Sequence, residues 1–251
     1  MRYLLASRHL PTLVRFVSSD VVLAFDYDGT LAPITDNPSR ARLSDRTRRL
    51  LIAAAKRYPC VVISGRARDD VMNFLRGIPV SHVFGNHGLE PWAIEAGSVN
   101  RVRQWLDRLE LELPTYPGLI VEDKTYSLAI HYRHVEKRHK RLVRQAIDDA
   151  LARLRGVRTI GGKEVINLVP RNAPHKGLAL DRARRLLGCD RAVYVGDDDT
   201  DEDVFSMAPS KRFLSVRVGA TPKSRAQYYL RTQREIDSFL RMLLLLRPAR
   251  V

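Results

Sequence analysis

Asp26 and Asp28 stand one residue apart at the end of the apolar run Val21-Val22-Leu23-Ala24-Phe25, just before a Gly29-Thr30 turn. Carboxylates at i and i+2 of an extended chain start on the same side, so their charges crowd each other unless a cation joins them. Magnesium is usually held in this way, by one or two carboxylates, with waters and a substrate phosphate filling its other positions. A second acidic run, Asp197-Asp198-Asp199-Thr200-Asp201-Glu202-Asp203, follows the apolar stretch Ala192-Val193-Tyr194-Val195 and Gly196. Between the two lie Ser64-Gly65-Arg66, closing Cys60-Val61-Val62-Ile63, and Lys176 in Pro174-His175-Lys176-Gly177. A hydroxyl, backbone donors at a glycine and a point positive charge are what a phosphate needs. The set points to metal-assisted chemistry on a phosphate group. The acidic run has a second reading, because carboxylates also gather in the first turn of a helix, where they complement the macrodipole. Asp198, Asp199 and Asp203 are open to it.

The elements that must carry these residues are short, β-branched and apolar without alternation, as in strands buried on both faces of a parallel sheet. Ligands of such sheets bind outside the carboxyl ends of the strands, where each of these motifs falls. The expected fold is α/β: a Rossmann-like parallel sheet with helices on both faces, plus a small α+β domain inserted in it. A helix near 176–187, strands at 191–195 and 213–218 and a closing helix near 231–246 complete the core. The segment from about Pro91 to Pro170 has its own pattern. Leu119 to Lys124 and Ser127 to Tyr132 read as a hairpin, a basic helix spans about 135–155, and 157–160 and 164–168 flank a Gly161-Gly162 turn. The expected division is a core of 1–90 and 171–251 with a cap of 91–170.

The ordered set of Asp26-x-Asp28-Gly29-Thr30, a strand-ending Ser64, a lone Lys176 and the Asp197 and Asp201 run resembles the haloacid dehalogenase-like phosphatases. The resemblance implies that Asp26 attacks phosphorus to form an aspartyl phosphate and that Asp28 is general acid and base. It implies further that Lys176 completes the catalytic set, and that Thr30, Ser64, Gly65 and Lys176 bind the phosphate. Mg2+ would be held by Asp26, the backbone carbonyl of Asp28 and Asp197, with Asp201 supporting the site. Hydrolysis of phosphate monoesters calls for the largest known enzymatic accelerations, up to ~10²¹-fold, and positioning and charge stabilisation must supply them.

Within that superfamily the chain is most similar to the trehalose-6-phosphate phosphatases, through Gly85-Asn86-His87-Gly88-Leu89-Glu90, Glu122-Asp123-Lys124, Ser127 to Arg133, and Gly162-Lys163-Glu164-Val165. The similarity runs from about Ser19 to near the end. It implies release of trehalose from trehalose 6-phosphate, the last step of trehalose biosynthesis, with the disaccharide recognised by Glu122, Lys124, Arg133 and Lys163. Where the family usually has a Glu this chain has Asn167, which keeps an acceptor and gains two donors but loses the strength of a charged partner. Sucrose phosphate and mannosyl- or glucosyl-3-phosphoglycerate are therefore alternative substrates, and a non-catalytic regulatory domain is a further alternative. Arg66 and His87 join the candidate substrate-binding set. Each has a plainer reading: His87, with Glu90, as a shaper of the glycine turn, and Arg66 as a solvated cation. His131 and Tyr132 are adjacent on a strand, so one of them must face away from any site on that sheet.

Lys and Arg number 43 against 28 Asp and Glu, a formal charge of +15 over 251 residues. The excess lies on helical faces without interleaved aromatics to stack bases, so neither nucleic acid nor a membrane is expected as a partner, and the surplus can steer a dianion. Two cysteines make no disulfide framework, and no apolar run reaches the ~18 residues of a membrane span. The opening residues 1–19 carry Arg2, Arg8 and Arg15 and no acid, a faint echo of a transit peptide, but an amphipathic helix on the core is the expectation. The expected location is cytoplasmic. The sequence does not fix an oligomeric state.

Overall fold

The computed structural model describes residues 1–35, 37–92, 97–113, 115–162, 164–207 and 211–247. In chain order the elements are β1 (Arg2–Tyr3), α1 (Leu10–Val17), β2 (Val21–Phe25), α2 (Asp45–Ala55), β3 (Cys60–Ile63), α3 (Arg68–Phe74), β4 (His82–Phe84), α4 (Gly97–Glu112), β5 (Ile120–Asp123), β6 (Leu128–His131), α5 (Lys137–Ala152), β7 (Val157–Gly162), β8 (Val165–Pro170), α6 (Lys176–Leu186), β9 (Arg191–Gly196), α7 (Glu202–Phe205), β10 (Phe213–Val218), β11 (Tyr228–Leu230) and α8 (Ile236–Leu246). They form two compact units, 1–91 with 174–251, and 92–173. The doubly wound core and the smaller α+β domain expected from the sequence are both present.

The core holds a seven-stranded sheet in the order β1-β11-β10-β9-β2-β3-β4, parallel at every pairing. β2 is buried along its whole length. Its alternate residues Val21, Leu23 and Phe25 share a cluster with Leu13 and Val17 of α1, Leu51 and Ala54 of α2, Val71 of α3 and Phe239, Leu240 and Leu243 of α8. The opposite face meets α6, which packs against β2, β3 and β9. Ser44 caps α2 by accepting from Thr47 N at 3.0 Å, and the Thr47 hydroxyl donates to Asp237 of α8 at 2.8 Å. A cap of this kind contributes about 1 kcal/mol. The chain leaves β2 for β3 and β4 on one side and lays β9, β10 and β11 on the other. The ends of β2 and β9 therefore flank a topological switch point, where open α/β sheets bind ligands.

The inserted unit is a four-stranded antiparallel sheet, β5-β6-β8-β7, with α4 and α5 on one face. Leu128, Ile130, Ile166 and Leu168 of the sheet pack against Val102, Trp105 and Leu109 of α4 and Val143 and Ile147 of α5. By alternation, Glu122, Ala129, Asn167 and Ile160, paired across four strands, belong to the other face.

Two expectations need correction, and one holds. The closing helix begins at Ile236, preceded by a 3-10 turn at Gln233–Glu235, and not near residue 231. The two-residue β1 and three-residue β11 widen the sheet, although neither carries a strand signal in its residues. The opening segment does contain an amphipathic helix, α1, burying Leu13 and Val17. No helix among the described residues is long and apolar enough to cross a membrane.

Candidate active site

Three strand ends deliver the site. Asp26 follows β2 and its amide donates to Val195 O of β9 at 2.8 Å, which fixes the backbone of the two strands at the switch point. Ser64 follows β3 and is buried, with its hydroxyl accepting from Arg66 N at 3.2 Å. Asp197 follows β9. Lys176 opens α6, where His175 caps the helix by accepting from Gly177 N at 3.2 Å. A cation at a helix N-terminus opposes the macrodipole, so the carboxylates must hold it there. Lys176 Nζ lies 3.0 Å from Asp26 Oδ1 and 2.8 Å from Asp201 Oδ1, with its side chain 2% exposed. Burial alone would lower the Lys176 ammonium, but Asp201 and Asp26 together outweigh it and hold it above its ordinary value.

Asp201 is the anchor. Its Oδ1 accepts from Lys176 and from the Tyr194 hydroxyl at 2.6 Å, and its Oδ2 accepts from the amides of Asp197 and Asp198 at 2.8 and 2.9 Å. With both oxygens engaged, this carboxylate shapes the loop after β9. Asp198 caps the 3-10 turn Asp199–Asp201 by accepting from Asp199 N at 2.7 Å, the helix-start role open to it in the sequence. Asp199 is exposed and lies 3.8 Å from Arg217. Tyr194 was absent from the candidates. Its signal was a tyrosine inside a wholly apolar strand, whose hydroxyl needs a partner once buried.

Asp26, Asp197 and Asp201 each offer a carboxylate oxygen within 4.8 Å of the others. Burial pushes the Asp26 carboxyl well up, opposed by Lys176 and reinforced by Asp201 and Asp197. Burial and then Asp201 push Asp197 up to about 7. Hard oxygen donors crowded at a strand end, with acidities depressed by one another, fit a divalent cation such as magnesium, whose charge relieves the repulsion. Gly29 is required beside them. Its φ is +76°, and a Cβ there would lie 2.0 Å from Asp197 Oδ2. Thr30 Oγ1 donates to Asp197 Oδ1 at 3.4 Å.

Asp28 departs from the expected crowding with Asp26. Its carboxylate faces Arg66, which donates from Nε to Oδ2 at 2.6 Å and from Nη2 to Oδ1 at 2.7 Å. The repulsion anticipated within the Asp26-Asp28 pair falls chiefly on Asp26 with Asp201 and Asp197. Arg66 is not the solvated cation of the plainer reading. Its guanidinium lies over the rings of Phe74 and Tyr27, 5.2 and 5.8 Å from their centroids, and the two rings are stacked.

His87 is buried and follows Asn86 through two left-handed residues, φ 59° and 49°. Such a conformation costs on the order of 1–3 kcal/mol per non-glycine residue. It sets the imidazole against Gly65, where a Cβ would be 2.6 Å from His87 Cε1. Glu90 has the structural part: its Oε2 accepts from Arg68 N at 2.8 Å and Asn86 Nδ2 at 2.9 Å, tying the turn to the start of α3.

In the inserted unit, Glu122 Oε2 lies 2.8 Å from His131 Nε2 and 3.7 Å from Lys124 Nζ. Tyr132 packs on the other side with the domain's core, so the alternation of His131 and Tyr132 holds. Arg133 lies 4.0 Å from Glu164, which also pairs with Lys140. Asn167 is buried, and its Nδ2 reaches Ile160 O at 3.5 Å. Lys163 lies outside the described residues.

The trehalose-phosphatase family model matches residues 24–234. The chain is 28% identical over 261 residues to trehalose 6-phosphate phosphatase RA3 of Zea mays, an alignment covering 93% of this chain and 72% of that protein. It is 30% identical over 258 residues to probable trehalose-phosphate phosphatase G of Arabidopsis thaliana, covering 89% and 68%. Among solved structures it is similar to the C-terminal domain of C. albicans trehalose-6-phosphate phosphatase, with a TM-score of 0.74 at 24% identity, covering 94% of this chain and 96% of that one.

Proposed function

Because the chain belongs to the trehalose-phosphatase family, we propose that it hydrolyses trehalose 6-phosphate to trehalose and phosphate through an aspartyl-phosphate intermediate at Asp26. The observation that carries the reading is the buried Asp26-Lys176-Asp201 array at the end of the central strand. Lys176 keeps a carboxylate available at a place where burial favours its protonated form. Asp26 attacks phosphorus and the bond to the sugar oxygen breaks, with Asp28 giving that oxygen its proton. Water then attacks the aspartyl phosphate, Asp28 takes the proton back, and phosphate leaves with the Asp26 carboxylate restored. Ser64 and the Gly65 backbone bind the phosphoryl oxygens with Lys176. Asp26, Asp197 and the Asp28 carbonyl would hold magnesium, with Asp201 bracing them. When bound, the ion neutralises charge on the phosphoryl oxygens.

The inserted unit selects the leaving group. Glu122, Lys124, Arg133 and Asn167, with Lys163, supply donors and acceptors suited to a non-reducing disaccharide. Asn167 favours a second reading, a different sugar phosphate, because a neutral amide stands where the family usually has a carboxylate. Magnesium-dependent phosphate release from trehalose 6-phosphate, measured beside sucrose phosphate and mannosyl- and glucosyl-3-phosphoglycerate, separates the two. A clear preference for trehalose 6-phosphate is expected. Preference for another ester would move the substrate and keep the mechanism, whereas no release from any would overturn the phosphatase reading.

A further inference from the structure

Arg66 engages both oxygens of Asp28, the residue assigned the proton transfers. In that arrangement Asp28 reaches a leaving oxygen only by giving up a charge-assisted, two-pronged pair. The two partners are unequally free to move. The Arg66 side chain is 16% exposed and walled by Phe74 and Tyr27, whereas Asp28 is 36% exposed. The rings favour the cation whether or not a carboxylate faces it. A guanidinium fork matches a phosphate as well as a carboxylate. Arg66 also sits on the backbone turn that carries Ser64 and Gly65, with its amide on the Ser64 hydroxyl. Two of the three ammonium donors of Lys176 are taken by Asp26 and Asp201, leaving one for a phosphoryl oxygen, so a two-pronged guanidinium beside it adds donors that Lys176 does not supply.

We propose that Arg66 is a positioning residue working by exchange: its guanidinium holds Asp28 until a phosphoryl dianion takes the fork over, and the released carboxylate then turns to the leaving group. The proposal rests on the phosphatase reading above and adds an interlock to it. Asp28 becomes free to act only when a phosphate is present to replace it.

The test is the affinity of tungstate, a phosphoryl mimic, for the magnesium-loaded protein, measured by titration calorimetry for wild type, Asp28→Asn, Arg66→Gln and the double variant, each checked for folding by circular dichroism. Removing the Asp28 charge frees the fork, so Asp28→Asn is expected to bind tungstate about tenfold more tightly, the size of one charge-assisted contact. In the Arg66→Gln background that gain should vanish. Arg66→Lys, which keeps the charge without the fork, should recover only part of it. A gain of equal size with and without Arg66 would mean simple relief of charge repulsion and would overturn the exchange. So would an Asp28→Asn protein that binds no more tightly than wild type. Failure of the phosphatase reading would look different, since wild type itself would then bind no tungstate.

Discussion

The core and the inserted unit both place acidic and basic side chains together, but in opposite surroundings. In the core, Lys176 is 2% exposed between Asp26 at 6% and Asp201 at 0%. In the inserted unit, Lys124 is 10%, His131 33% and Glu122 43% exposed. Removed from water, the core charges need matched partners and so adopt one geometry, as suits an in-line attack on phosphorus. Glu122 and His131, partly open to water, can exchange it for the hydroxyls of a ligand at little cost. The contrast supports the proposed division, chemistry in the first unit and selection in the second.

The hardest blow to that division falls at Asp26. Asp26→Asn should abolish turnover of every phosphate ester alike, by on the order of 10⁴-fold or more, with the circular dichroism spectrum unchanged. Retained turnover would remove the nucleophile. Next in size is Lys176→Ala, expected to lower kcat by roughly 10²- to 10³-fold and to destabilise the fold by about 3–5 kcal/mol in denaturant titration, because Asp26 and Asp201 lose their buried cation. A melting curve like that of wild type would show the array to be less tightly matched than its geometry implies.

A smaller effect follows from Asp197, pushed up to about 7. Its folded value lies above its unfolded one, so the fold prefers the neutral form. Without metal, the stabilising contribution of this group is complete below pH ~4 and is lost as pH rises toward 7. Magnesium needs the carboxylate, so its affinity should rise with pH up to about 7 and then level off. Calorimetry at pH 6 should show binding about tenfold weaker than at pH 8, with uptake of metal releasing a proton. Equal affinities would place Asp197 outside the metal set. The smallest change belongs to the inserted unit. Asn167→Glu should raise kcat/KM for trehalose 6-phosphate by about threefold to tenfold through a charged acceptor, and a loss there would point to a site retuned for another ester.

The core site was largely legible in sequence because its chemistry is attached to strand ends. Asp26, Ser64 and Asp197 each terminate an apolar run, and the order of the runs suffices to bring them together. The clamp of Arg66 on Asp28 was not legible. It joins residues 38 apart through side chains whose direction no periodicity encodes, and the packing of Phe74 against Tyr27 is likewise a tertiary event. The strands β1 and β11 escaped because two or three residues show no alternation. They are strands only through pairing with each other and with β10. In the inserted unit, alternation did separate His131 from Tyr132, but it could not show that Glu122 faces His131 as well as Lys124.

The most direct test of the division of labour is kcat/KM for trehalose 6-phosphate and for p-nitrophenyl phosphate, measured side by side in wild type and Lys124→Ala. The expected result is a loss of about tenfold or more on the sugar ester, as for a buried polar contact to a hydroxyl left unmade, with the aryl ester unchanged. Equal losses on both esters would contradict the assignment of selection to the inserted unit.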